Sequence, residues 1–408
     1  MGHHVTMPVT LQAIREAREL LHGVARLTPV APAPYLTGRV GGPVWLKCEN
    51  LQVAGSFKVR GAHVRLSRLS AQQRELGVVA ASAGNHAQGV AKAARGLGIH
   101  TTVFMPVGAP LPKLAATRAY GAEVVTVGET IDDALVAATE FSERTGAQLI
   151  HPFDHEDIVV GQGTIGLEIL EQVPDVRTVL VCTGGGGLVA GIATVMAELA
   201  PHVHVIGVQA AEAAAFPASL AAGHPVALDR MSTMADGIAV GRPGVVPLGI
   251  ISELGVEIRT VSEESLSRGL LLVLERSKLM VEPAGAAGVA ALLEDVSGIE
   301  PPVVVVLSGG NIDPLLLARV LEHGLIAAGR YLQLRVRIPD RPGGLADLLA
   351  EVATLSANVI SVEHLRTTVG LSVGEVDVSL HLETRGPEHC ERVAAELRSS
   401  GFRVRLEQ

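Results

Sequence analysis

From Gly77 to Gln209, short apolar runs alternate with longer runs of helical spacing, and this alternation most constrains how the chain can fold. Residues 77–81, 100–105, 122–127, 148–151, 177–182 and 202–209 read as strands. Residues 85–97, 113–120, 131–144, 156–172 and 188–199 read as the helices between them. Strand, helix, strand in sequence requires crossover connections, so the sheets are expected to be mostly parallel and covered by helices on both faces. Further on, 263–277 and 284–293 are helical, and 302–307 is an almost purely apolar strand suited to burial on both sides. At the N-terminal side, 11–22 reads as a helix capped by Thr10, 27–36 as an extended, proline-rich connector and 44–47 as a short strand.

The style changes at Gly329-Arg330. Leu332, Leu334, Val336 and Ile338 alternate with Gln333, Arg335 and Arg337, the pattern of a half-exposed strand. The order that follows is strand 331–338, helix 343–354, strands 358–367 and 371–382, helix 387–399 and strand 402–406. That βαββαβ order is the ferredoxin-like split βαβ pattern. The expected organisation is an α/β core over 1–328, with a smaller subdomain at about 54–153, followed by a separate domain over 329–408.

Composition limits the partners. The net charge of −9 argues against a nucleic-acid backbone, and 2% aromatic residues leave little to stack on bases. No apolar run reaches the roughly 20 residues needed to span a bilayer. The opening Met1-Gly2-His3-His4-Val5 has neither the basic nor the apolar region of a signal peptide. Cys48, Cys182 and Cys390 are widely spaced and form no CxxC pair, so a reduced, cytoplasmic protein is expected.

The chemistry-bearing stretches sit at strand ends. Gly55-Ser56-Phe57-Lys58-Val59-Arg60-Gly61-Ala62 holds one of five lysines in the chain, with Lys47, Lys92, Lys113 and Lys278. A lysine desolvated there would be a Schiff-base nucleophile and a general base; the alternative is a surface lysine after a turn. Thr183-Gly184-Gly185-Gly186-Gly187-Leu188 lies between a strand and a helix, where backbone N–H groups and the helix dipole favour a phosphate. Ser82-Ala83-Gly84-Asn85-His86-Ala87-Gln88-Gly89 also opens a helix. It offers amides and side chains for a carboxylate or ring hydroxyl, or else ordinary caps, and His86 could be an acid or base. Ser308, in Leu307-Ser308-Gly309-Gly310-Asn311, follows the most apolar strand, at the end where ligands of open α/β sheets bind. Glu282, before Pro283, is a capping or a site carboxylate. His151-Pro152-Phe153-Asp154-His155 holds the one tight group of potential metal ligands, but it lacks a third strand-borne ligand and reads as a loop; no metal is expected.

Taken together, GSFKVRGA (55–62), SAGNHAQG (82–89), TGGGGL (183–188), EPAGA (282–286) and SGGN (308–311) resemble the fold-type II pyridoxal-phosphate enzymes, most closely the threonine ammonia-lyase branch. They occur in the family's order, over roughly residues 10–325. The C-terminal Pro339-Asp340-Arg341-Pro342-Gly343-Gly344-Leu345 resembles an ACT domain, a small-molecule sensor. The resemblance implies pyridoxal 5'-phosphate as cofactor, bonded to Lys58. Gly184, Gly185, Gly186, Gly187 and Leu188 would hold its phosphate and Asn85 its 3′ oxygen. Phe57 would lie near the ring, Ser308 at the ring nitrogen and Glu282 near the ring edge. Ser82, Ala83, Gly84, Asn85 and His86 would cradle the substrate carboxylate.

The implied reaction is β-elimination and deamination of L-threonine to 2-oxobutanoate and ammonia. The implied effector at the ACT domain is isoleucine, with valine as a second, in a homo-oligomer, dimer or tetramer. Serine racemase relatives carry a second serine at Ala83 and metal ligands mapping near Gln209, Ala213 and Ala215, so racemisation and that metal site are not expected. The residues leave two alternatives open: an L-serine-preferring ammonia-lyase on the same scaffold, and a non-catalytic amino-acid sensor.

Overall fold

The computed structural model describes residues 8–366 and 371–407. The opening pentapeptide, and residue 367 at the end of the strand expected over 358–367, lie outside them. The chain separates into two compact units, Met1–Leu317 and Ala318–Gln408.

The first unit holds two sheets. The larger runs in the order Val30–Pro32, Val44–Lys47, Val303–Val306, Thr178–Cys182, His204–Ala210 and Glu257–Val261. Only the first pair is antiparallel; the rest are parallel. The smaller sheet is parallel throughout, in the order Glu123–Thr126, Thr101–Met105, Val78–Ala81 and Gln148–Leu149. Val303–Val306 is buried at every residue, as its unbroken apolar run requires. It lies between Val44–Lys47 and Thr178–Cys182, so the carboxyl ends of these strands deliver Ser308 and the glycine run to one edge of the sheet.

Helices pack against each other through glycine. The helix Lys58–Ser67 contacts Asn85–Leu97 and Glu156–Gln172, and the last contacts Gly187–Leu199. A Cβ on Gly161 would stand 2.6 Å from the Gly61 Cα, and one on Gly191 2.4 Å from the Val159 carbonyl. Backbones approach where larger residues could not fit, which is how a core so poor in aromatics reaches close packing.

Two expectations change. Residues 27–36 are not merely extended: Val30–Pro32 is a strand, and a helix, Pro34–Val40, begins there. Pro34 occupies its first turn, where proline's fixed φ suits a helix start and its missing N–H costs nothing. The helix expected over 263–277 is α only over Glu263–Leu272, then widens into a π turn, Val273–Ser277, that ends at Lys278 with φ 59°. Ala215–Ala222 and Val245–Glu253, helices not foreseen, are so uniformly apolar that no polar face marks a period.

The second unit contains Tyr331–Pro339, Gly344–Thr354, Asn358–Leu365, Glu375–Glu383, Pro387–Ser399 and Arg403–Leu406. The four strands form an antiparallel sheet in the order second, third, first, fourth, as in a ferredoxin-like fold. Leu334, Val336, Val378 and Leu380 are buried with Leu348, Val352, Val393 and Leu397 of the two helices.

Beneath the larger sheet's first strands lies a buried group of four charges. Arg60 donates to Glu49 from Nε and Nη2, at 2.9 and 2.8 Å, and to Glu168 from Nη1 and Nη2, at 2.6 and 3.0 Å. Lys47 Nζ donates to Glu168 at 2.6 Å and to the Thr28 carbonyl. Burial alone would raise the Glu49 carboxyl, but the Arg60 guanidinium outweighs it and holds that carboxyl below the usual range. Arg60→Met would leave two buried carboxylates short of a partner. It should cost about 3–5 kcal/mol, read as a lower midpoint in urea unfolding.

Candidate active site

Lys58 is the first residue of its helix, and Phe57 precedes it as the cap. The approach is pinned to the end of strand Val303–Val306. Phe57 N–H donates to the Ser308 carbonyl at 3.1 Å, and Gly310 N–H to the Gly55 carbonyl at 2.9 Å. Gly55 has φ 70°, and a Cβ there would stand 2.1 Å from Asn311 Oδ1, so only glycine fits. Asn311 Nδ2 donates to the Ala54 carbonyl at 2.8 Å and to Asn85 Oδ1 at 2.9 Å. Three stretches far apart in sequence are thereby joined around one lysine. Its Nζ donates to the Pro152 carbonyl at 3.1 Å and lies 5.1 Å from the centre of the Phe57 ring. Part of the side chain stays accessible, yet burial around the amine lowers its pKa to about 8.

The four glycines close the strand Thr178–Cys182 and open the helix Gly187–Leu199. Gly186 has φ 96°, and a Cβ on it would stand 2.5 Å from the Phe216 ring. A Cβ on Gly185 would come 2.2 Å from the ring of Phe153. Side chains are excluded from this bend, which leaves its backbone amides as the groups that could meet an anion. Leu188 is buried, so it too can offer only its N–H.

The 82–86 loop is shaped by its own polar atoms. Gly84 N–H donates to Ser82 Oγ at 3.1 Å. Asn85 Nδ2 donates to Glu282 Oε1 at 2.6 Å. Ala83 packs against the apolar cluster that includes Ala87 and Ala91. His86 is not placed as an acid or base: its Nε2 meets the Ile150 carbonyl at 2.7 Å, and burial drives its pKa down to about 3, so the ring is neutral and the Nε2–H donates. Glu282 is buried; burial, reinforced by Asp236, raises its carboxyl to about 7. Ser308 is buried next to Cys182, whose thiol burial pushes up to about 11 and keeps protonated.

The structure therefore brings Lys58, Phe57, Asn85, Glu282 and Ser308 together, with the glycine run and the 82–86 loop at the carboxyl ends of the two sheets' strands. Sequence reasoning passed over other members. Pro152 and Phe153 belong to the stretch read as a plain loop, where the His151 imidazole accepts from the N–H groups of Phe153 and Asp154 at 3.3 and 2.8 Å. Asp154 in turn receives Val246 N–H at 2.9 Å. Gly237, Asp236 and Lys113 also reach the site, from positions with no local signal, and Cys182 does so from the end of the strand that leads into the glycine run. Among the described residues no group of three His, Cys, Asp or Glu could hold a metal ion.

An amine that is neutral in part near pH 8, amides that favour an anion and a side-chain-free cradle suit a carbonyl compound carrying a phosphate. Over residues 22–309 the chain matches the family described as pyridoxal-phosphate dependent enzyme. It is 46% identical to an L-threonine ammonia-lyase of Geobacter sulfurreducens, across 98% of this chain and 99% of that protein. It is 43% identical to another from Thermotoga maritima, across 98% and 99%. The processed form of threonine deaminase isoform 2 from Solanum lycopersicum is similar in structure, with a TM-score of 0.73 and 36% identity over 79% of this chain and 92% of that one.

Glu282 carries a pH signature. Its folded-state pKa of about 7 lies above the ordinary 4.5, so the folded chain favours the protonated form and loses stability as pH rises between the two. Glu282→Gln stays neutral throughout. In thermal melts of the protein alone, the variant should gain on the wild type as pH rises from 4.5 to about 7.

Proposed function

The chain belongs to the pyridoxal-phosphate-dependent enzymes, and we propose that within them it deaminates L-threonine to 2-oxobutanoate and ammonia. The observation that carries this reading is Lys58: an amine lowered to about 8 by burial and held by the Pro152 carbonyl, whose neighbour Phe153 lies against Gly185 of the glycine run. The nearly full-length likeness to proteins named for that reaction supports it.

Bound pyridoxal phosphate supplies an electron-withdrawing ring that acidifies the Cα–H bond of an amino acid joined to it. The chain supplies the rest. Lys58 Nζ would hold the cofactor's carbonyl carbon and would serve as the base toward the substrate Cα proton. Residues 184–188 would hold the phosphate through backbone N–H groups. Asn85, fixed between Glu282 and Asn311, would orient the ring through its 3′ oxygen. Phe57 would lie beside the ring, and Ser308 would face its nitrogen with a neutral hydroxyl beside a neutral thiol. The amides and small side chains of 82–86 would take the substrate carboxylate. Elimination of the β-hydroxyl as water, then hydrolysis of the released enamine, accounts for both products.

The second unit fits an amino-acid sensor of the ACT kind. A cavity of about 390 Å³ lies where the first strand gives way to the first helix, lined by Ile338, Asp340, Leu345, Arg366 and Val376 among others. Asp340 and Arg366 pair there at 3.2 Å. A carboxylate for the amine, a guanidinium for the carboxyl and an aliphatic wall suit isoleucine, with valine as the smaller competitor. Such domains bind effectors where copies meet, so the reading includes a homo-oligomer, dimer or tetramer. No described helix is long and apolar enough to cross a membrane. The free thiols of Cys48, Cys182 and Cys390 support a reducing, cytoplasmic setting.

Two experiments test this. The wild type should bind pyridoxal phosphate with visible absorbance and form 2-oxobutanoate from threonine. Lys58→Ala should lose about 10²–10⁴-fold or more in rate. A colourless protein that takes up no added cofactor would sink the enzyme reading, and higher kcat/KM for serine would reassign the substrate. Isoleucine should shift the threonine saturation curve of the intact chain, and Arg366→Ala should abolish the shift; an unchanged response would refute the assigned cavity.

A further inference from the structure

Lys113 is one of the chain's five lysines and belongs to no recognised motif. It stands in the helix Leu111–Ala119, which follows the strand Thr101–Met105 of the smaller sheet. Its side chain keeps only 10% of its surface accessible. Nζ lies 2.5 Å from Oδ2 of Asp236, in the short helical turn Asp236–Ile238. On another side it lies 3.9 Å from where a Cβ on Gly84 would stand, so it borders the backbone of the 82–86 loop. Its charge also reaches Glu282, whose pKa it lowers.

Burying an ammonium is costly unless its donors are used. Lys113 has three N–H donors, and Asp236, half exposed, takes one of them. The other anion that this position can meet is whatever occupies the 82–86 loop. An amino acid whose nitrogen has been taken up by the cofactor leaves its carboxylate as a net negative charge, close to the buried carboxyl of Glu282. Lys58, released when the substrate amine takes its place, must be neutral to accept the Cα proton, and His86 is held neutral against Ile150, so neither balances that charge.

We propose that Lys113 is the cation that reads the substrate α-carboxylate on the 82–86 loop, and that Asp236 is a positioning residue that keeps the ammonium aimed there. The proposal rests on the assignment of that loop to the carboxylate. It explains why a lysine is buried between the smaller-sheet half and the Asp236 turn, at the loop's edge. It also makes the enzyme selective for free amino acids over their amides or for residues within peptides, because only a free carboxylate repays the desolvated ammonium.

The test uses the holoenzyme and two probes that lack a β-hydroxyl and so are not consumed, L-alanine and L-alaninamide. Their dissociation constants are read from the change in cofactor absorbance. Lys113→Met should weaken alanine by about 10–100-fold, the range for losing a hydrogen bond to a charged group, and leave alaninamide within about twofold. Lys113→Arg should restore most of the loss, since charge and donors remain. Asp236→Asn should weaken alanine by a smaller factor and alaninamide not at all. Retained cofactor absorbance shows that each variant is folded. If Lys113→Met weakens both probes equally, or neither, the lysine is only a structural tie and the proposal is overturned. A wild type that binds alaninamide as tightly as alanine would overturn the loop assignment itself, and the proposal with it.

Discussion

The bidentate grip of Arg60 on Glu49 and Glu168 is the interaction on which the rest of the catalytic unit depends. Arg60 is buried, as are both carboxylates and the neighbouring Lys47. Lys47 ends a strand of the larger sheet, Arg60 lies in the helix that Lys58 begins, and Glu168 lies in a third element, Glu156–Gln172. Removing any one group would strand a charge in a medium that cannot solvate it, so the four hold sheet and helices in one arrangement. Arg60 is two positions beyond Lys58 in the chain. The place of the reactive amine therefore follows from the place of the guanidinium.

One short helix thus carries two electrostatic regimes. At Arg60 every charge has an opposing partner at hydrogen-bond distance. At Lys58 the hydrogen-bond partner is a carbonyl, and burial moves the amine toward neutrality. Glu282 is moved the opposite way, to about 7, by the same cause. Neither group has an ion-pair partner at hydrogen-bond distance among the described residues, so each can change protonation near physiological pH at small cost. The saturated pairs below make the unmatched groups above affordable.

Small residues serve the same end. Gly61, Gly161 and Gly191 let helices approach at backbone distance, while Gly185 and Gly186 keep side chains out of the bend that opens the helix Gly187–Leu199. A composition poor in aromatics and rich in glycine and alanine is therefore a requirement of both the packing and the binding surface. The second unit follows other rules: an antiparallel sheet with one face under two helices and charged residues such as Arg335, Arg337 and Asp377 on the other.

Much was legible in the sequence because its signals are local. The alternation of apolar runs determined parallel sheets, since crossovers leave no other pairing. The change of period at Tyr331 determined the second fold. Glycines at strand-to-helix junctions marked the cradle, because backbone approach needs that residue and no other. What the tertiary structure alone decided lies between distant segments. His86 was a candidate acid or base until Ile150, from another strand end, took its ring. Phe153 and Pro152 looked like loop until they closed over Gly185 and Lys58. Lys113 and Asp236 have no signal in their own neighbourhoods, and their meaning arises only where two sheets converge. A residue's type and spacing determine what it can do; its pKa and its partners depend on burial and on neighbours from far along the chain, which only the assembled fold supplies.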